Sequence, residues 1–310
     1  MIGITIRQLR YFDALARHGH FGRAAEACAI SQPALSLQMK ELEEMLGAPL
    51  IERGGRQIRL TLLGRAFAER ARDIVRSVDE LDDLARAATS PFAGRLRIGV
   101  IPTAAPYLLP GVIKRLAECF PDLDLRPREA VTQKLIEELG EGRLDTAIVA
   151  LPVSEPSLEE YELFEEEFVL VRHPEEAGRP APNPEMLREM RLLLLEEGHC
   201  FRDQALAFCG LAGNGPNELM EGSSLSTLVQ MVAAGIGVTL IPQMAVAVES
   251  RSAAVSVTRL SAPRPKRRIG MVWRRTNPLG PQLLRIAETM RGAGERMARD
   301  PMARDGMTTE

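Results

Sequence analysis

Cys200 and Cys209 stand nine positions apart in the run Glu197-Gly198-His199-Cys200-Phe201-Arg202-Asp203-Gln204-Ala205-Leu206-Ala207-Phe208-Cys209. The run otherwise reads as one amphipathic helix, on which nine residues rise about 13.5 Å and rotate by about half a turn. A disulfide needs Cα atoms within roughly 7 Å. The two sulfurs therefore cannot bond while the segment is helical, so oxidation and refolding would be one event. That is the geometry of a switch, not of a staple. Metal binding fits less well. There is no Cys-x-x-Cys, and the four histidines are scattered at 18, 20, 173 and 199. Neither a metal nor a cofactor is expected.

Composition puts this pair in a soluble, cytoplasmic setting. At 310 residues the chain is too long for one comfortable core, so two or three domains are expected. Four cysteines in that length do not make a secreted disulfide framework, and in the cytosol such a pair reads as redox-active or metal-binding. The start, Met1-Ile2-Gly3-Ile4-Thr5-Ile6-Arg7, shows no apolar signal region. No uncharged apolar run approaches membrane-spanning length, so no membrane is expected among the partners. The net charge of −3 neither announces nor excludes nucleic acid.

The first sixty residues read as short, closely packed helices. Leu9, Phe12, Leu15 and Ala16 have helical spacing, Gly19 breaks that helix, and Phe21 opens the next with Ala24, Ala25 and Cys28. Ser31 before Gln32-Pro33-Ala34-Leu35-Ser36 is an N-terminal cap signal with proline in the first turn. Leu35, Met39, Leu42 and Leu46 give that helix its buried stripe, and Gly47 ends it. Two helices joined by a tight turn make a helix-turn-helix over 21–40. Extended arms around Gly54-Gly55 complete a wing, giving a winged domain over 4–61. From 62 to 90 a long helix carries Phe67, Ala71, Ile74, Val78, Leu81, Ala85 and Ala88 at coiled-coil spacing, which favours a partner helix and hence a dimer.

Beyond the linker Thr89-Ser90-Pro91-Phe92-Ala93-Gly94 the pattern alternates between strands and helices. Strands are predicted at 95–100, 123–129, 145–151, 165–171, 191–196, 237–241 and 268–273, an alternation that means α/β layers with largely parallel sheets. The residues from 297 to 310 lack periodicity and read as a disordered tail.

Leu9-Arg10-Tyr11-Phe12, Ala24-Ala25, Ser31-Gln32-Pro33-Ala34-Leu35-Ser36, Leu42-Glu43, Leu50-Ile51-Glu52-Arg53 and Leu60-Thr61 resemble the winged helix-turn-helix of LysR-type transcriptional regulators. The remainder is similar to the hydrogen-peroxide-sensing branch of that family. There the likeness is carried by Ile101-Pro102-Thr103, Pro106-Tyr107-Leu108-Leu109-Pro110, Gly198-His199-Cys200, Arg202-Asp203-Gln204-Ala205, Phe208-Cys209 and Met231-Val232-Ala233-Ala234-Gly235. It spans about residues 4 to 295, and its most specific part is the stretch from Gly198 to Cys209. The resemblance implies an α/β fold: a winged helix-turn-helix, a long linker helix, and two Rossmann-like regulatory subdomains of the periplasmic-binding-protein kind. These would be subdomain I, 94–164 with 268–296, and subdomain II, 165–267 with the redox switch, joined by crossing strands at 165–171 and 268–273. It also implies a redox-regulated transcription factor for oxidative-stress promoters. Its partners would be a dyad site in double-stranded DNA, hydrogen peroxide as the signal, a second copy in a homodimer or tetramer, and RNA polymerase.

Ligands in open α/β sheets gather beyond the carboxyl ends of the strands. Thr103, Thr132 and His199-Cys200 each follow a predicted strand and precede a helix start, where N–H groups and the dipole favour an anion. A cysteine there, beside Arg202, is expected to ionise more readily, and the thiolate is the form that attacks peroxide. This makes Cys200 the attacking residue and Cys209 the resolving thiol. Thiolate attack on the O–O bond expels hydroxide, so the site needs donors for the leaving oxygen, and Thr103, Thr132 and His199 are placed to supply them. The resulting sulfenic acid condenses with a second thiol. The resemblance implies that Thr103, Thr132, His199 and Cys200 line a peroxide pocket, with Arg202 and Asp203 beside them.

Plainer readings compete. Cys28 and Cys119 read as small buried hydrophobes. Thr132 suits a helix cap as well as it suits a pocket, and Asp203 suits a first-turn helix acid. Gly235-Ile236-Gly237 lies between a helix and the following strand, the wrong order for a dinucleotide loop. On DNA, Gln32, Pro33 and Ser36, with Ser31 before them, face the bases, while Arg10, Arg23, Lys40 and Arg53 suit the backbone. Leu37 stands where relatives carry a small residue, which bears on the bases read. Two other functions compete: a LysR-type regulator sensing a small metabolite with incidental cysteines, and a thiol peroxidase, against which the winged helix argues.

Overall fold

The computed structural model describes residues 3–52, 58–89, 92–210 and 220–298, which fall into two compact units, 1–85 and 86–310. In the first unit, α1 (Ile6–His18) starts at a capping box in which Thr5 Oγ1 accepts from Gln8 N and Gln8 Oε1 accepts from Thr5 N. It stops at Gly19, left-handed at φ 60°. Next come α2 (Phe21–Ala27) and α3 (Gln32–Leu46), the latter capped by Ser31 Oγ on Ala34 N at 3.3 Å. Strands β1 (Ile51–Glu52) and β2 (Arg59–Leu60) pair antiparallel as the arms of the wing. The tip around Gly54-Gly55, with Arg53, lies outside the described residues.

Helix α4 (Leu62–Thr89) follows. It approaches so closely that a Cβ on Gly64 would stand 2.1 Å from the Leu50 carbonyl oxygen, so only glycine fits there. Phe12, Leu15, Leu35, Leu42 and Leu50 form the core of this unit, with Ala68 of α4 among them. The expected coiled-coil seam is thereby split. Phe67 stacks edge-on against Phe12 at 5.4 Å and Ala71 is buried, so the first seam positions serve their own domain. Ile74 and Leu81 remain exposed, at 46% and 62%. The side chain of Ala88 is outside the described set.

The second unit strings β3 (Gly94–Val100), α5 (Ala105–Cys119), β4 (Leu123–Glu129), α6 (Thr132–Gly140), β5 (Thr146–Leu151) and β6 (Leu158–Arg172). It continues through α7 (Pro184–Glu189), β7 (Leu192–Leu195), α8 (Cys200–Cys209), β8 (Met220–Gly222) and α9 (Leu225–Ala233). The chain then runs through β9 (Val238–Pro242), α10 (Val246–Ser252), β10 (Ser256–Arg259), β11 (Lys266–Arg274) and α11 (Gly280–Ala298). One sheet runs β4-β3-β5-β11-β6-β9-β7-β8, with β10 also paired to β6. Two parallel trios, β4-β3-β5 and β9-β7-β8, flank the antiparallel pair β11 and β6. β6 pairs with β11 through Glu167, and from Phe168 onward with β9, so it passes from one half to the other.

Three differences from the sequence reading have physical causes. β6 begins seven residues before the predicted 165, because its glutamates face cations on β11: Lys266–Glu165 at 2.8 Å and Arg268–Glu162 at 3.4 Å. An acidic run that looks like loop in isolation is a strand once its partner is present. β8 and β10 were not foreseen; the first has three residues, and the second is half-buried at every position and so has no alternation to detect. Cys119 is exposed, not a buried hydrophobe, whereas Cys28 is half-buried against the winged-domain core.

Candidate functional site

Val100 and Glu129 are register partners at the carboxyl ends of β3 and β4. Thr103 lies three residues past the first and Thr132 three past the second, so both reach the same rim of the sheet. Neither α5 nor α6 has a side-chain cap there, and α8, behind His199, has none either. Their N-terminal N–H groups and dipoles are the kind of end that attracts negative charge. Thr132 is the first residue of α6 and not its cap, and its hydroxyl is buried without a partner. The capping alternative is thereby overturned, and a buried hydroxyl left open is what a small ligand would satisfy.

Thr103 is buried, and its Oγ1 accepts from Arg267 Nη1 at 2.7 Å while its carbonyl accepts from Nη2 at 3.0 Å. Arg267 is itself fully buried and paired with Glu166 at 2.7 Å. The second oxygen of Glu166 accepts from Met244 N at 3.2 Å. The Arg267 guanidinium lies over the Phe201 ring, 5.2 Å from its centroid, and Phe201 packs on Phe168 at 4.7 Å. One buried cation thus ties Thr103 to the residue that follows Cys200. Sequence reasoning missed Arg267. Its signal was the basic triplet Lys266-Arg267-Arg268 entering a strand, where period-two alternation must turn the middle residue inward.

Cys200 is half-exposed at the first position of α8, between Phe201 and His199. Burial pushes the His199 imidazole below its usual range, partly opposed by Glu196 and Glu129. A neutral imidazole keeps one donor and one acceptor nitrogen. Glu129, which opposes that shift, ends β4, the strand that leads to Thr132. Cys209 ends the same helix, fully buried, its thiol pushed up to about 11 by burial against the lowering influence of Arg188. Both cysteines are free. α8 therefore offers an accessible thiol at its N-terminus and a buried, protonated one at the far end.

Of two other expected pocket members, one is engaged elsewhere and one faces outward. Arg202 donates to the Leu195 carbonyl at 2.9 Å and pairs with Glu221 at 2.5 Å, which fastens the first turn of α8 to β7 and β8. Asp203 is exposed in the first turn, in keeping with a helix acid. Gly235, at φ 77°, stops α9 ahead of β9, as expected of a helix stop and not of a nucleotide loop. Not foreseen was a second link across the sheet halves. Tyr107 of α5 donates to Glu249 of α10 at 2.6 Å, and Ser226 of α9 donates to the same oxygen at 2.9 Å. Burial first, then the Glu249 carboxylate, holds the Tyr107 phenol well above its usual range.

In the winged unit, α3 buries Leu35, Met39 and Leu42 and leaves Gln32, Pro33, Ser36, Leu37 and Lys40 exposed. That is an outward face of the kind a major groove accepts. Arg23 is exposed on α2. Ser31 is engaged as the cap of α3, and Lys40 has Glu44 at 3.6 Å. Arg10, expected to be free for phosphate, is ion-paired with Asp79 of α4.

A winged helix-turn-helix in one unit, and in the other two α/β halves bridged by β6 and β11, define a LysR-type architecture. The chain belongs to the LysR family: residues 6–65 match the bacterial regulatory helix-turn-helix protein model of that family, and residues 89–295 match its LysR substrate binding domain. Proteins of this family are DNA-binding regulators and not enzymes. Within it, the chain groups with the OxyR proteins. It is 43% identical over 304 residues to a probable hydrogen peroxide-inducible genes activator of Streptomyces viridosporus, covering 96% of this chain and 97% of that protein. A full-length OxyR variant from Pseudomonas aeruginosa superposes with a TM-score of 0.73 at 35% identity, over 93% of this chain and 95% of that one. A hydrogen-peroxide-bound OxyR variant from Corynebacterium glutamicum gives 0.66 at 32% identity, over 99% and 97%.

Proposed function

We propose that this chain is a cytoplasmic, peroxide-sensing transcription regulator whose signal is read by Cys200 and stored as a Cys200–Cys209 disulfide. The observation that carries the reading is α8 itself, an unbroken helix with a free cysteine at each end. The Cys200 thiolate attacks one peroxide oxygen: an S–O bond forms, the O–O bond breaks, and hydroxide leaves to be protonated to water. Sulfur is oxidised by two electrons and peroxide is reduced. Thr103, held by Arg267, with Thr132 and neutral His199, positions the peroxide and its leaving oxygen. Cys209 thiolate then attacks the Cys200 sulfur; the S–S bond forms, the S–O bond breaks and a second hydroxide departs as water. Because the helix holds these sulfurs apart, the bond requires α8 to unwind, and that refolding changes how the protein engages DNA. Disulfide mapping by mass spectrometry after stoichiometric peroxide tests this. A Cys200–Cys209 peptide pair is expected, and its absence would leave a metabolite sensor with incidental cysteines as the better reading.

The regulator reading carries two further expectations. Binding to a dyad site should weaken steeply with salt, since Lys and Arg displace counterions from phosphate. Gln32→Ala should relax base preference at a cost of about 1–3 kcal/mol of discrimination, whereas Arg23→Ala should weaken all sequences alike. Electrophoretic titration against matched and mutated sites separates the two, and equal losses on every site for both variants would contradict the base-facing role of Gln32.

Assembly forms the second expectation. Ile74 and Leu81 leave an apolar stripe open on α4, which suits pairing with the same helix of a second copy. Two dimers could then combine into a tetramer that contacts RNA polymerase. Ile74→Asp with Leu81→Asp should yield monomers in sedimentation; an unchanged mass would mean the dimer is held elsewhere.

A further inference from the structure

The N-terminal end of α8 is tied by Phe201, packed between Arg267 and Phe168, and by Arg202, bonded to Glu221 and the Leu195 carbonyl. The opposite end is held differently. Arg188, in the last turn of α7, donates through Nε to the carbonyl of Cys209, one of the oxygens that a helix end leaves without an intrahelical partner. Its guanidinium lies against Gly210, the left-handed residue that closes α8 at φ 63°. A Cβ on Gly210 would stand 2.1 Å from Arg188 Nη2, so the cation covers the position that the glycine leaves open. A positive charge at this end also opposes the negative pole of the helix dipole.

We propose that Arg188 is the latch that keeps α8 helical, and so sets how readily Cys209 is released toward an oxidised Cys200. The inference rests on the reading of these two cysteines as the switch. In the helix Cys209 is fully buried and about 13.5 Å of helix rise from Cys200, so it cannot resolve a sulfenic acid from where it stands. One end of α8 has to let go. The N-terminal end is fixed by a buried aromatic cluster and a buried cation, the C-terminal end by an exposed arginine on a six-residue helix. The weaker tie yields first, and it is the one that carries Cys209. Release breaks the bond from Arg188 to the Cys209 carbonyl, so this contact stabilises the dithiol form and not the disulfide. Arg188 is a positioning residue: it acts on the resolving thiol through the helix end.

The chemistry divides into two measurable steps in the full-length protein. Sulfenic acid formation is followed by dimedone trapping in a Cys209→Ser background, and disulfide formation by quenched alkylation with both cysteines present. Arg188→Ala should leave the first rate unchanged and accelerate the second roughly two- to fivefold, the range of a charge at an exposed helix terminus. The disulfide midpoint potential against a glutathione buffer should fall by about 9–21 mV, which is that factor converted at 29.6 mV per tenfold. Arg188→Lys should lie between, since it keeps the charge at the helix end without the planar fork. A simple loss of stability would not leave the first step untouched while moving the potential. Disulfide formation that is unchanged or slower in Arg188→Ala overturns the latch. A wild-type protein that forms sulfenic acid but no Cys200–Cys209 bond overturns the switch itself, and the same experiment reports that separately.

Discussion

Arg267→Met is expected to lower the stability of the C-terminal unit by about 3–5 kcal/mol, the range for removing one partner of a buried ion pair. Arg267 and Glu166 are both at 0% side-chain exposure, so the substitution leaves a buried carboxylate without its cation. It also takes two donors from Thr103 and the cation from the Phe201 ring. Replacing both charges, Arg267→Met with Glu166→Leu, should recover most of that stability, because the cost lies in the unpaired charge. The pair of variants therefore separates folding from sensing. Urea unfolding should show the double variant near wild type, yet its peroxide response should remain weak, because Thr103 no longer has a fixed donor to orient its hydroxyl. A double variant with full peroxide sensitivity would mean that Arg267 serves only the fold.

Much of this architecture was legible because local rules and tertiary structure agree. Gly19, Ser31 and Gly47 are caps and stops whose conformation follows from residue type, and they end α1 and bound α3 as expected, while the capping box at Thr5 is an addition from the structure. The buried stripe of α3 and the strands of the parallel trios carry their own periodicity. The candidate site was legible only where it follows strand ends, as with Thr103, Thr132 and Cys200. Contacts across the sheet were not. Arg267 reaches Thr103 from 164 positions away and Tyr107 reaches Glu249 from 142, and no pattern within either segment points to the other. The same holds for Arg202, whose placement next to Cys200 suggested a charge for the thiol, while the fold gives that charge to Glu221. Proximity in sequence says little about direction on a helix, where Arg202, two positions on from Cys200, is rotated from it by about 200°.

Cys200→Ser is expected to abolish the peroxide response completely, because no other described thiol stands at this rim and no sulfenic acid can form. Cys209→Ser should still permit oxidation of Cys200 but should not reach the stable disulfide state. The structural readout is hydrogen exchange across residues 199–210. In the reduced protein α8 buries Phe201, Ala205 and Cys209 along one face, so its amides should be protected. Unwinding from the C-terminal end takes Cys209 and then Ala205 out of that buried face, while Phe201 keeps its place between Arg267 and Phe168. Helix bonds are lost as well, so exchange should rise clearly on oxidation in the wild type. In Cys200→Ser treated with the same peroxide it should stay slow. Cys209→Ser should fall close to the reduced pattern, since the disulfide is what holds the helix open. A wild-type protein that forms the Cys200–Cys209 bond with α8 exchange unchanged would break the link between oxidation and refolding. In that case the signal would have to leave the site by way of Thr103, Arg267 and the strands that cross between the two halves.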